Sequence, residues 1–313
     1  MNHFLDISKK LPEPTSEAPA TPIEGTPEKS DWPIQFDHIL VEEVQVLPET
    51  RIITHIDPRS AGADRFRFLR MCLRELWNSG KLRSLQITSP LQGDGKSTVA
   101  LNLATALTEG GKRKVLLIEA DLHRPSLMGQ LGLQQRAGLA ACLEENLDPA
   151  LAIRRLEPLG WYLLPAGEPH GNPTELLQTD ALADVLQKLS PHFDWILIDS
   201  PPVMPLTDAL SIARRANATL LVARQGRTPR EAIERAIAVL GRQRVLGLVL
   251  NAVEDLDRLY SGYYGYSEYT SNNALDKART AAKLKDEPGG ASNAPIAQPK
   301  LQANHSALEP PGE

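Results

Sequence analysis

Cysteine is scarce in this chain: two in 313 residues, Cys72 and Cys142. Two thiols exclude a disulfide framework. Neither lies in a Cys-x-x-Cys pair or beside a histidine cluster, which excludes the common zinc spacings. Both read as buried thiols of a reducing compartment. Long hydrophobic runs are also missing. No stretch reaches the roughly 18 apolar residues of a membrane helix, and the opening MNHFLDISKK has no apolar signal core. A soluble, cytoplasmic chain is therefore expected. There is no excess of positive charge either: 34 Lys and Arg against 39 Asp and Glu leave −5, which argues against a nucleic-acid coat. Tyrosine is rare and unevenly spread, with five of the six lying between 260 and 269.

Proline marks the ends. Residues 11–31 hold five prolines and no aromatic, and residues 275–313 hold five more among Ala, Lys, Gln and Asn. Such segments bury too little apolar surface to offset backbone ordering, so disordered tails are expected at both termini. The composition divides the chain into an N-terminal tail over 1–45, a folded body over 46–255, and a tyrosine cluster with C-terminal tail over 256–313.

Within the body, short apolar runs predict buried strands at Leu85–Thr88, Val115–Ile118, Trp161–Leu164, Trp195–Ile198, Thr219–Ala223 and Val245–Leu250. Helical spacing lies between them, over Ser97–Glu109 and Pro229–Gly241, and Asn172-Pro173 reads as a cap and first turn. Ala61–Ser79 reads as an amphipathic helix that buries Phe68, Leu69, Cys72, Leu73 and Leu76. The alternation predicts an α/β fold: a mostly parallel sheet with helices on both faces.

The first of these strands runs into SPLQGDGKST, residues Ser89 to Thr98. A turn whose amides wrap a phosphate needs glycine at its tight positions, and the following helix start adds partial positive charge. Gly93, Asp94, Gly95, Lys96, Ser97 and Thr98 are the candidate nucleotide-binding residues. Lys96 would reach the outer phosphates and Ser97 would offer its hydroxyl to Mg²⁺. The full GxxxxGK[ST] pattern is broken by Pro90 at its first glycine. Two further strands end in acids, Glu119 and Asp121 after one and Asp199 after the other. Ligands in open parallel sheets sit at the carboxyl ends of strands. Lys96, Glu119, Asp121 and Asp199 are thus the candidate catalytic residues, and Ser97, Asp121 and Asp199 the candidate metal ligands. Asn251 reads as a turn residue or a purine neighbour, Asp208 as a helix cap, and His123 as a lone histidine with no metal to bind.

These motifs resemble those of the bacterial tyrosine kinases that accompany polysaccharide chain-length regulators, over roughly residues 60 to 270. LQGDGKST resembles the family's Walker A loop, VLLIEADLHRP its second acidic motif, WILIDSPPV its Walker B motif, and YSGYYGYSEY its C-terminal tyrosine cluster. Asp64-x-x-Arg67-x-x-Arg70 resembles its ring-assembly helix motif. The resemblance implies a P-loop NTPase fold, ATP and Mg²⁺, and a protein-tyrosine autokinase. The acceptors would be Tyr260, Tyr263, Tyr264, Tyr266 and Tyr269, offered between protomers of a homo-oligomeric ring assembled through Asp64, Arg67 and Arg70. It also implies recruitment to the inner membrane by a chain-length determinant that activates the kinase, and a role in extracellular or capsular polysaccharide synthesis and export; the acidic balance separately argues for no nucleic-acid partner. The related partition and division-site ATPases carry a signature lysine five residues before the loop lysine. Leu91 stands there, which favours the kinase branch over an ATPase that loads DNA or a division factor.

Glycines and serines between the tyrosines suit a flexible acceptor segment. The alternatives are a sticky aromatic patch or a base-stacking surface, and the second needs interleaved Lys or Arg, which this cluster lacks. Two positions depart from the family pattern: Glu119 stands for Asp, and His123 for Arg, with Arg124 next. They leave a second functional class open, an ATP-binding assembly switch with little kinase activity. An acid, Glu119 or Asp121, would orient or deprotonate the incoming phenol.

Overall fold

The computed structural model describes residues 36–205 and 207–253. The tyrosine cluster at 260–269 lies outside the described residues.

Eight strands form one sheet: β1 Leu40–Glu43, β2 Ser84–Thr88, β3 Val115–Glu119, β4 Arg154–Glu157, β5 Trp161–Leu164, β6 Trp195–Asp199, β7 Ala218–Arg224 and β8 Val245–Asn251. The α-helices among the described residues are α1 Ile53–Ile56, α2 Ala61–Asn78, α3 Lys96–Leu107, α4 Leu127–Gln130, α5 Leu139–Glu144, α6 Pro149–Ala152, α7 Pro173–Gln178, α8 Ala181–Leu189, α9 Asp208–Ala213 and α10 Arg230–Leu240. The strand order is β1-β4-β5-β3-β6-β2-β7-β8. Every neighbouring pair is parallel except β4 with β5.

Strands buried on both faces read as unbroken apolar runs, because alternate side chains enter two separate cores. Val115 and Leu117 of β3 join Leu85, Leu103, Trp161 and Leu197 in the core beneath α2 and α3. Leu116 and Ile118 join Ile196, Ile198, Leu143 and Val185 in the core beneath α5 and α8. Truncating one of these leucines to alanine is expected to cost about 2–5 kcal/mol. The six strands read from the sequence are all present, each within a residue or so of the expected ends. Helix α3 stops at Leu107 rather than Glu109, which adopts a left-handed φ of 50° ahead of Gly110 and Gly111.

Three expectations need correction. The fold begins before residue 46: β1 pairs with β4, and Phe36 packs edge-on against Tyr162 and Phe193 at 5.5 and 5.7 Å. Composition averaged over 1–45 hides this strand among prolines. On α2, Leu73 is buried and Phe66, Leu69, Leu76 and Trp77 pack on the core, whereas Phe68 is 60% exposed. At 100° per residue Phe68 lies too far round from that arc to share it. Cys142 is buried as expected, but Cys72, on the margin of the same arc, is only half-buried. No helix among the described residues is long and apolar enough to cross a membrane.

Candidate active site

The order β3-β6-β2 sets the carboxyl ends of three strands side by side. Glu119 stands opposite Asp199 across the β3–β6 ladder, and Asp199 opposite Ile87 of β2. The turn after β2 therefore opens beside both acidic strand ends. Gly93 and Gly95 take φ values of 84° and 95°, left-handed conformations that an L side chain resists. Helix α3 starts at Lys96 with no side-chain cap on its first amides, which leaves them facing outward for an anion.

Lys96 is the hub. Its Nζ lies 3.0 Å from Asp121 Oδ2 and 3.7 Å from Asp199 Oδ1, and it donates to Ser97 Oγ at 3.3 Å. Burial opposes its charge, but Asp199 and Asp121 more than offset this and raise its pKa. Asp199 is 1% exposed, and neither of its carboxylate oxygens has a hydrogen-bond partner. Burial pushes its pKa above the ordinary value, with the Lys96 charge pulling the other way. A buried carboxylate that faces one ammonium at 3.7 Å and accepts no hydrogen bond is costly unless something more compensates it. Two carboxylates and a hydroxyl around one ammonium are the oxygen donors that a hard divalent cation takes, so Ser97, Asp121 and Asp199 fit Mg²⁺. Asp121 also accepts the Arg124 amide at 3.2 Å.

Glu119 does something else. It accepts the amides of Leu127 at 2.7 Å and Ala166 at 3.2 Å, together with that of Ser126. It is 1% exposed. It clamps the start of α4 to the loop after β5, so it is no free base, which corrects the catalytic role expected of it. The side chain of Asp94 is likewise turned away from the phosphate side: it is fully buried and accepts the Leu91 amide at 3.0 Å. Only its backbone remains for a ligand. Asp208 makes no cap bond. Its Oδ2 lies 2.8 Å from His123 Nε2, which also lies 3.3 Å from the Thr174 hydroxyl. His123 is thus the middle of a Thr–His–Asp contact that joins α7, the β3 end and α9. Asn251 Nδ2 donates to the Asp94 carbonyl at 3.0 Å.

The residues expected at an oligomer interface lie on α2, away from this site. Asp64 and Arg67 form an exposed ion pair, and Arg67 also donates to the Pro58 carbonyl. Arg70 donates to the Ala106 carbonyl of α3 at 3.2 Å, an internal bond. The sequence reading missed the turn after β7. Arg224 Nη1 approaches the Gly93 carbonyl at 3.5 Å, and the Arg227 guanidinium lies where a Gly93 side chain would have stood. Gln225-Gly226-Arg227-Thr228 at a strand's carboxyl end was the available signal.

The family model described as ParA, NUBPL iron-transfer P-loop NTPase, matches residues 83–256. The BceF tyrosine kinase domain superposes with a TM-score of 0.58 at 30% identity, covering 67% of this chain and 90% of that one. The chain belongs to the bacterial tyrosine kinases, within the ParA-type P-loop NTPases. The tyrosine-protein kinase YwqD of Bacillus subtilis (strain 168) is 28% identical over 231 residues, 73% of this chain and 95% of that protein. The succinoglycan biosynthesis transport protein ExoP of Rhizobium meliloti (strain 1021) is 31% identical over 219 residues, 68% of this chain. This bacterial tyrosine-kinase chain spans nearly all of YwqD but only 28% of ExoP.

Proposed function

We propose that this chain is an ATP-dependent protein-tyrosine autokinase that phosphorylates Tyr260, Tyr263, Tyr264, Tyr266 and Tyr269 between protomers. The observation that carries this reading is the Lys96 ammonium held among Ser97, Asp121 and Asp199 at adjacent strand ends. The glycine turn and the α3 amides hold the outer phosphates of ATP, and Lys96 offsets their charge. Mg²⁺, when bound by Ser97, Asp121 and Asp199, would neutralise charge on the transferring phosphoryl group. A tyrosine oxygen bonds to the γ-phosphorus, the bond to the bridging oxygen breaks, and ADP leaves. Asp121 takes the phenol proton: both acids are engaged, but Asp121 is engaged beside Lys96 at the phosphate loop and Glu119 at the start of α4.

The acceptor segment comes from a neighbouring copy in a ring whose contacts include Asp64, Arg67 and Arg70. Kinship with ExoP supports a role in polysaccharide synthesis and export, with a membrane-bound chain-length determinant as recruiting and activating partner. The test is to incubate purified chain with Mg²⁺ and ATP and map phosphotyrosine by mass spectrometry. Wild type should acquire phosphate within 260–269 and Lys96→Met should not. Equal modification in both, or none in either, overturns the kinase reading.

The withdrawal of Glu119 from the site favours a second reading, an ATP-driven assembly switch with little transfer activity. That reading expects ATP-dependent association to survive replacement of all five cluster tyrosines by phenylalanine. Loss of its regulation in that variant counts against it.

A further inference from the structure

Asp94 is a fully buried acid inside a phosphate loop, where a second negative charge near a triphosphate needs a reason. Its two oxygens have separate partners. Oδ2 accepts the Leu91 amide at 3.0 Å, which closes the loop on itself. Oδ1 accepts the Thr228 hydroxyl at 2.7 Å. That hydroxyl cannot swing away, because it also accepts the Arg224 amide at 2.8 Å while the Thr228 amide donates to the Arg224 carbonyl at 3.0 Å. Asn251 completes the arrangement. Its Nδ2 donates to the Asp94 carbonyl, and its own carbonyl accepts the Gln225 amide at 3.0 Å. The ends of β2, β7 and β8, neighbours in the sheet, are thereby stitched together through one aspartate. Gly95 is part of the fit: a Cβ there would stand 2.0 Å from Asn251 Nδ2, so a side chain would expel the amide from the Asp94 carbonyl.

We propose that Asp94, Thr228 and Asn251 are positioning residues that hold the phosphate loop in its ligand-ready shape and so set the chain's affinity for nucleoside di- and triphosphates. The inference rests on the nucleotide-binding reading above. It assigns the β7–α10 turn a task that the motifs alone do not. These side chains touch no phosphate. They act by removing the ordering cost that a slack loop would meet on binding. A buried acceptor stripped of its donor is expensive, so the effect concentrates at Thr228 Oγ1.

The test uses the full chain as wild type, Thr228→Val, Thr228→Ser, Asn251→Ala and Lys96→Met. Two quantities are read: dissociation constants for a fluorescent ATP analogue, and hydrogen exchange of the amides from Leu91 to Lys96. Thr228→Val should bind the analogue roughly tenfold more weakly. Its Leu91 amide should exchange at least tenfold faster, while β2, β3 and β6 keep wild-type protection. Asn251→Ala should move both readings the same way, and Thr228→Ser should restore both to within twofold. The brace is overturned if Thr228→Val keeps Leu91 protected and binds within twofold of wild type. It is also overturned if protection is lost evenly across the sheet, since that marks a general structural role. Wild-type binding no tighter than Lys96→Met would instead sink the nucleotide reading, and Leu91 exchange would still report on the brace.

Discussion

At the scale of single residues, position in the fold outweighs position in a motif. Glu119 and Asp121 are two residues apart, yet one faces α4 and the other the phosphate loop. Asp121→Asn is therefore expected to slow phosphoryl transfer by roughly 10²–10⁴-fold, and Glu119→Gln far less, in single-turnover assays. Glu119→Gln should act on stability. The new amide would face the Ala166 N–H donor to donor, costing about 1–3 kcal/mol. Burial raises the Glu119 pKa above its ordinary value. Between the unfolded and folded pKa values the native chain holds a proton that the unfolded chain has released. Its contribution is fully present below the unfolded pKa of about 4.3 and is lost as pH rises through the folded one. The stability gap between wild type and Glu119→Gln should be widest in acid and should narrow towards alkaline pH, as urea melts of both would report. The two thiols also part company. Burial raises both thiols above their ordinary value, but Cys72 is half-buried whereas Cys142 is buried and pushed up to about 12, where almost none is thiolate at pH 8. Iodoacetamide labelling of the native chain should fall on Cys72, and prompt labelling of Cys142 would contradict its burial.

At the scale of elements, what the sequence shows depends on how many faces an element buries. Strands β2, β3, β5 and β6 bury both faces and stand out as apolar runs, and with them the site: the glycine turn, Lys96, Asp121 and Asp199 lie at their ends. Strands β1 and β4 do not stand out, because LVEE is mostly exposed and the buried positions of RRLE are Arg154 and Leu156, an arginine in place of an apolar residue. The β7–α10 turn was illegible for another reason. Its link to the phosphate loop pairs residues more than 130 positions apart, and no local pattern encodes that. The Asn172 cap was legible because capping is local: its Oδ1 accepts the Thr174 amide at 3.1 Å. Asn172→Ala should cost about 1 kcal/mol and lower the melting temperature. The N-terminal boundary is testable in the same way. A chain starting at residue 46 loses β1 and bares the edge of β4, whereas one starting at residue 36 keeps every described element. The first should melt measurably below the second, and equal melting would return β1 to the tail.

For the whole molecule, the question is how transfer of phosphate to the tyrosine segment would alter an assembly of like chains. The unmodified chain carries −5. Five phosphates at about −1.5 to −2 each would bring a protomer to roughly −12.5 to −15, about two and a half to three times its starting charge. In the proposed ring, copies would then repel across every contact at once. Such repulsion acts through solvent, where its range is about 10 Å at 0.1 M salt and about 3 Å at 1 M. Phosphorylated chain should therefore sediment as smaller species at low ionic strength and regain mass as salt is raised, while the Tyr→Phe variant should respond little to ATP. If phosphorylated chain stays dissociated at 1 M salt, Coulomb repulsion is not the cause. The modified tyrosines must then be contacts in their own right, lost when their rings no longer seat in the neighbouring copy.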